Sequence, residues 1–238
     1  MFRMRVPGRT VTTLLGAALA IVFVASASPG AAQDKAAKGQ AAQAAGDQAV
    51  AGTDDALRTA LDGKTPQERI DYLNALVDGG QATKEIYFHL GNAKYEASDL
   101  QGAALAFEQA VAMDSTFFKA MVNLGLMYDS LQNYPKAIES FEEAARLEPK
   151  NPDVWSHMGN TYYAQSNYPK AMELYKKALQ FDPKAAHALY SMGVAFADAG
   201  IFREAVSYWK RVAEIDPQGD LGKNASENIE LLQKYLIP

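Results

Sequence analysis

The sequence predicts an all-α fold, an α-solenoid of four tandem helical hairpins with an N-terminal helical cap and a C-terminal capping helix. Two series of small residues and one of aromatics carry that expectation. Glycines stand at Gly91, Gly125, Gly159 and Gly193, each 34 residues from the last. Alanines stand at Ala103, Ala137, Ala171 and Ala205 in the same period, and Phe107, Phe141, Tyr175 and Trp209 keep it too. A fixed period of this length, with helical spacing inside each unit, marks stacked supersecondary repeats.

The first 32 residues carry Arg3, Arg5 and Arg9, then a nearly unbroken apolar run from Val11 to Val24, then small residues through Ala31-Ala32. That order is expected of a secretory signal peptide, residues 1–32, with cleavage after Ala27 or Ala32. Retained, Val11–Ala27 would sit at the short end of what spans a bilayer and would make a membrane anchor. Removal of the segment loses three arginines and no acid, so the net charge goes from −5 to −8. Such a chain is repelled by phosphate-rich partners, so nucleic acid is not expected to bind. Residues 33–54 are rich in Ala, Gln and Gly and poor in large apolar groups, which predicts a flexible linker.

Residues 55–83 predict N-terminal cap helices or a degenerate repeat. Thr65-Pro66-Gln67-Glu68 has the form of a capping box with proline at the first helical position. Ile70, Leu73, Leu76 and Val77 make its apolar face, and Gly79-Gly80 end it. Arg69 stands where the repeats carry alanine, which favours the cap.

Within each repeat two helices are legible. Trp155, Met158, Gly159 and Tyr162 fall at i, i+3, i+4 and i+7, and Ala171, Leu174, Tyr175 and Ala178 repeat that spacing on a second helix. A mid-helix glycine costs about 1 kcal/mol relative to alanine, so its recurrence implies a close helix crossing. Asp-Pro at 182–183 and 216–217 ends the second helix, because proline disfavours helical geometry in the residue before it. Leu221, Ala225, Ile229, Leu232 and Leu236 form the apolar stripe of a capping helix over 220–238.

On these residues the chain resembles the tetratricopeptide repeat family, in the style of an exported bacterial member, with units at 84–117, 118–151, 152–185 and 186–219. The resemblance implies a protein or peptide partner lying along the first helix of each unit. Transferred by repeat position, the groove comprises Phe88, Asn92 and Tyr95; Val122, Leu126 and Asp129; Ser156, Asn160 and Tyr163; and Tyr190 and Val194, with Ala197 completing the fourth unit. The family's carboxylate clamp is not matched. Asn92 fits one of its places, but Phe88, Leu126, Asp153 and His157 occupy the other four. Chaperone C-terminal tails are therefore not expected as ligands.

There is no cysteine, which excludes disulfides, thiolate metal sites and cysteine nucleophiles. His89, His157 and His187 are the only histidines; they lie on separate hairpins and read as solvent-facing residues rather than metal ligands. No glycine-rich phosphate loop is present, and the residues outside the repeats leave no room for a catalytic domain. The expected function is a non-catalytic adaptor or scaffold of the bacterial cell envelope, periplasmic or at the cell surface, without cofactor or metal. The alternatives are a membrane-tethered structural subunit, if the signal is uncleaved, and a glycan-associated binding protein.

Overall fold

The structure, a computed structural model, describes residues 54–235; the signal, most of the linker and Leu236 lie outside them. The described residues form eleven α-helices and no strand. In order they are α1 (Asp54–Leu61), α2 (Pro66–Asp78), α3 (Lys84–Glu96), α4 (Leu100–Met113), α5 (Phe118–Ser130), α6 (Tyr134–Leu147), α7 (Pro152–Ala164), α8 (Tyr168–Phe181), α9 (Ala186–Asp198), α10 (Phe202–Ile215) and α11 (Asp220–Tyr235). The all-α expectation is met: α3 packs on α4, α7 on α8 and α9 on α10 as hairpins, with α2 preceding them and α11 following. None of the described helices is long and apolar enough to cross a membrane.

The described chain divides into two compact units, 54–136 and 137–235, with the division inside α6. In the first unit, Leu57, Leu61, Ile70, Leu73, Ile86, Leu90, Ala93 and Ala106 form one buried cluster. The start of α2 is the expected capping box: Glu68 N–H donates to the Thr65 hydroxyl, and Thr65 N–H donates to the Glu68 carboxylate at 2.9 Å. Of its expected apolar face, Ile70 and Leu73 are buried and Leu76 and Val77 are partly buried. In the second unit the core runs through Leu189, Tyr190, Trp209 and Val212 to Leu221, Ala225 and Leu232 of α11. At Gly222, near the start of α11, an added Cβ would lie 1.7 Å from the Asp216 carbonyl oxygen, so only glycine lets the cap approach this closely.

The repeat glycines sit at helix crossings, as their spacing implies. A Cβ on Gly91 would lie 2.6 Å from Phe107, one on Gly159 2.5 Å from Tyr175, and one on Gly193 2.4 Å from the Trp209 indole nitrogen. Gly125 is buried, and Ala103, Ala137, Ala171 and Ala205 have no solvent exposure. In these three hairpins the aromatic series thus supplies the ring that the first-helix glycine receives.

The turns between the helices of a hairpin are also periodic. Ser98, Gln132, Ser166 and Gly200, again 34 apart, all adopt left-handed backbone, with φ of 64°, 58°, 62° and 77°. The following amide closes each helix: Asp99 N–H donates to the Lys94 carbonyl and Asn167 N–H to that of Tyr162, both across five residues. This is the Schellman closure, which lets the chain reverse in three residues.

Candidate functional site

Each first helix carries a strip of side chains that the packing of the helices does not fully bury. In the first unit that strip carries Phe88, Asn92, Tyr95, Val122 and Asp129, all half-buried. Phe88 lies in an aromatic group, 5.8 Å from the Phe107 ring centroid and 5.1 Å from that of Phe117. Asn92 Oδ1 accepts from Asn123 Nδ2 at 3.1 Å, tying α3 to α5. Burial raises the Tyr95 phenol above its ordinary pKa and keeps it a hydrogen-bond donor.

In the second unit the accessible strip is Asn160, Tyr163 and Val194. The Asn160 carbonyl accepts from both Tyr175 Oη and Ser191 Oγ at 2.8 Å. Two hydroxyl donors on one oxygen fix the amide plane and orient its N–H2 as the remaining donor. Tyr163 Oη donates to Asp198 Oδ2 at 2.6 Å. Burial, then the adjacent Asp198 carboxylate, push the Tyr163 phenol well above its usual range, so it stays protonated and holds that bond. Its ring meets the exposed ring of Tyr168 edge-on at 5.0 Å.

Four of the expected groove residues are instead buried. Leu126 is buried. Ser156 is fully buried and its hydroxyl donates back to the Pro152 carbonyl at 2.8 Å. Tyr190 is buried against Trp209, and its hydroxyl accepts from Asn228 of α11 at 3.1 Å. Ala197 is buried as well. Adjacent repeats and the cap press on these positions, which single-hairpin reasoning cannot anticipate.

The histidines are not solvent-facing, contrary to expectation. His89 Nε2 pairs with Asp54 at 2.7 Å and His187 Nδ1 with Asp153 at 2.9 Å. His157 is packed with its ring stacked on Phe141 at 5.9 Å and 5.4 Å from the ring of His187. Burial and the neighbouring His187 lower its pKa to about 4, so it is neutral at physiological pH. The described residues hold no group of three or more His, Cys, Asp or Glu placed to bind a metal.

Asp198, Ser191 and Asn123 escaped the transfer by repeat position. Their partners lie one repeat away offset by a few residues: Asn92 to Asn123 and Asn160 to Ser191 are each 31 apart, and Tyr163 to Asp198 is 35. First helices of adjacent repeats lie side by side, so contacts fall within about a helical turn of one period away. That arithmetic, applied to the sequence, would have found them.

The family model described as "TPR repeat" matches residues 125–166 and 159–200. Among solved structures, one titled "Crystal structure of MamA" is 24% identical, covers 69% of this chain and 95% of its own, and superposes with a TM-score of 0.57. Another, "MamA 41-end from Desulfovibrio magneticus RS-1", is 19% identical with a TM-score of 0.59, covering 70% of this chain and 94% of its own. No curated protein matches the chain by sequence. The chain carries tetratricopeptide repeats and has the α-solenoid fold of those proteins.

Proposed function

We propose that this protein is a non-catalytic interaction scaffold, exported to the bacterial cell envelope, that takes a segment of a partner protein along its first helices. Proteins with these repeats bind protein partners, and here one observation supports the same use. Phe88, Asn92, Tyr95, Val122, Asp129, Asn160, Tyr163 and Val194 stay accessible at recurring repeat positions, while the intervening Gly and Leu or Met positions are consumed by packing. Ordered aromatic rings and oriented amides offer contact area and backbone hydrogen bonds at small entropic cost. Export rests on the charged start, apolar run and small-residue end of residues 1–32. The mismatch at four of the five clamp positions argues against chaperone tails as the ligand.

A photo-crosslinking residue at Val194 or Val122 of the full chain, expressed in its own host, tests the reading. The expected result is capture of a protein partner from these two positions and not from the exposed Lys176 on α8. Capture from Lys176 alone, or from none of them, overturns it. Fractionation of the same cells tests export: a mature chain lacking up to 32 residues should appear outside the cytoplasm.

A further inference from the structure

The first helices α7 and α9 contain no lysine or arginine; their acids are Asp153 and Asp198. The second helices α8 and α10 carry Lys170, Lys176, Lys177, Arg203, Lys210 and Arg211 together with the acids Glu173, Glu204 and Glu214, a net positive charge. A cationic segment thus meets no lysine or arginine on the α7 and α9 side and a net positive charge on α8 and α10.

One place on that side has the geometry to hold a cation. Asp198 is exposed, and among the described residues no lysine, arginine or histidine forms an ion pair with it. Its carboxylate is held in one orientation by the Tyr163 hydroxyl at 2.6 Å. The Tyr163 ring in turn meets that of Tyr168, 5.0 Å away and inclined at 64°, and Tyr168 is 51% exposed. A fixed carboxylate next to exposed aromatic faces suits a guanidinium or ammonium group, by charge-assisted hydrogen bonding and by cation–π attraction. Asn160, one helical turn before Tyr163, has its amide oxygen occupied by two hydroxyls, which leaves its N–H2 to donate to a backbone carbonyl of the same segment.

We infer that Asp198, Tyr163 and Tyr168 form a seat for an arginine or lysine of an extended basic segment of the partner protein. This rests on the proposal that the first-helix face is the binding surface. It makes the partner's charge opposite to that of the acidic tails which the family's clamp receives.

The full chain is titrated, by fluorescence anisotropy, with labelled twelve-residue peptides of Gly-Ser-Arg repeats and, separately, Gly-Ser-Glu repeats. The arginine peptide should bind and the glutamate peptide should not. Asp198→Asn keeps an oxygen for the Tyr163 hydroxyl but removes the charge, and should weaken arginine-peptide binding roughly tenfold. Tyr168→Ala should weaken it as well, while Lys176→Gln, about two turns further along α8, should leave it unchanged. Both variant positions are exposed, and circular dichroism checks that the helices persist. If Asp198→Asn binds the arginine peptide as tightly as the wild type, attraction is only to the chain's net charge and the seat is refuted. The crosslinking experiment separates the two claims. A partner captured at Val194 through a segment without basic residues, and indifferent to Asp198→Asn, removes this inference and leaves the scaffold reading standing.

Discussion

Gly159 shows how a single missing side chain positions two helices. An alanine there would recover about 1 kcal/mol of helix propensity. Its Cβ, however, would sit 2.5 Å from Tyr175, a ring with 1% exposure whose hydroxyl is committed to Asn160. The ring has nowhere to retreat without breaking that bond, so steric cost wins. Gly159→Leu should destabilise the protein by about 1–3 kcal/mol, read as a lowered melting temperature. An unchanged melting curve would refute the crossing geometry. The residue was legible in the sequence because its 34-residue recurrence made a costly residue periodic, whereas the role of Asp198 was not. In the other repeats the place of Asp198 holds Glu96, which pairs with Arg69, then Ser130 and Ala164, and the meaning of Asp198 comes only from Tyr163 in the preceding hairpin.

Where α7 and α9 pack on each other, the seam contains titratable groups that a buried helix contact ordinarily avoids. His157 lies between the Phe141 ring and His187, and His187 in turn is bonded to Asp153. Asp153 is held below its ordinary pKa chiefly by the His187 hydrogen bond, against the opposing effect of burial. For His157 the folded pKa is about 4 against an unfolded value of 6.5, so the fold favours the neutral ring. Its contribution is fully present above pH 6.5 and is lost as pH falls from 6.5 toward 4, where the unfolded chain binds a proton that the folded chain refuses. The melting temperature should therefore drop by several degrees across that window, and His157→Gln should flatten the drop. A wild-type curve level from pH 6.5 to 4.5 would contradict the buried neutral ring. The helices of this seam were readable from apolar periodicity. Burial of its histidines was not, since they fall on the sides of the helices that only the neighbouring repeat covers. The hairpin turns were equally hidden: Ser98, Gln132 and Ser166 adopt a left-handed conformation that among the four turns only Gly200 announces by its residue type.

Across the whole molecule, a stack of hairpins has no central core, and each hairpin is stable only through its neighbours, so the ends decide whether the stack holds. In the unit 137–235 the last hairpin would expose Trp209, Leu189 and Val212 if nothing followed it. Leu221, Ala225 and Leu232 of α11 join them in one buried cluster, with Ile229 packed against it. Burial of large aliphatic side chains contributes about 1.5–3 kcal/mol each. Loss of Leu221, Leu232 and the partly buried Ile229 therefore removes roughly 5 kcal/mol, comparable with the whole stability of an ordinary domain. A chain ending at Gly219 should lose the cooperative melting of this unit and aggregate through the uncovered Trp209 face, whereas Leu232→Asp should melt early yet remain helical at low temperature. Tryptophan emission distinguishes the cases, because Trp209 is 1% exposed in the intact protein and should shift to the red only when α11 is gone or displaced. If the truncated chain keeps both its emission maximum and its melting temperature, α11 is an appendage and the last hairpin is closed by its own residues.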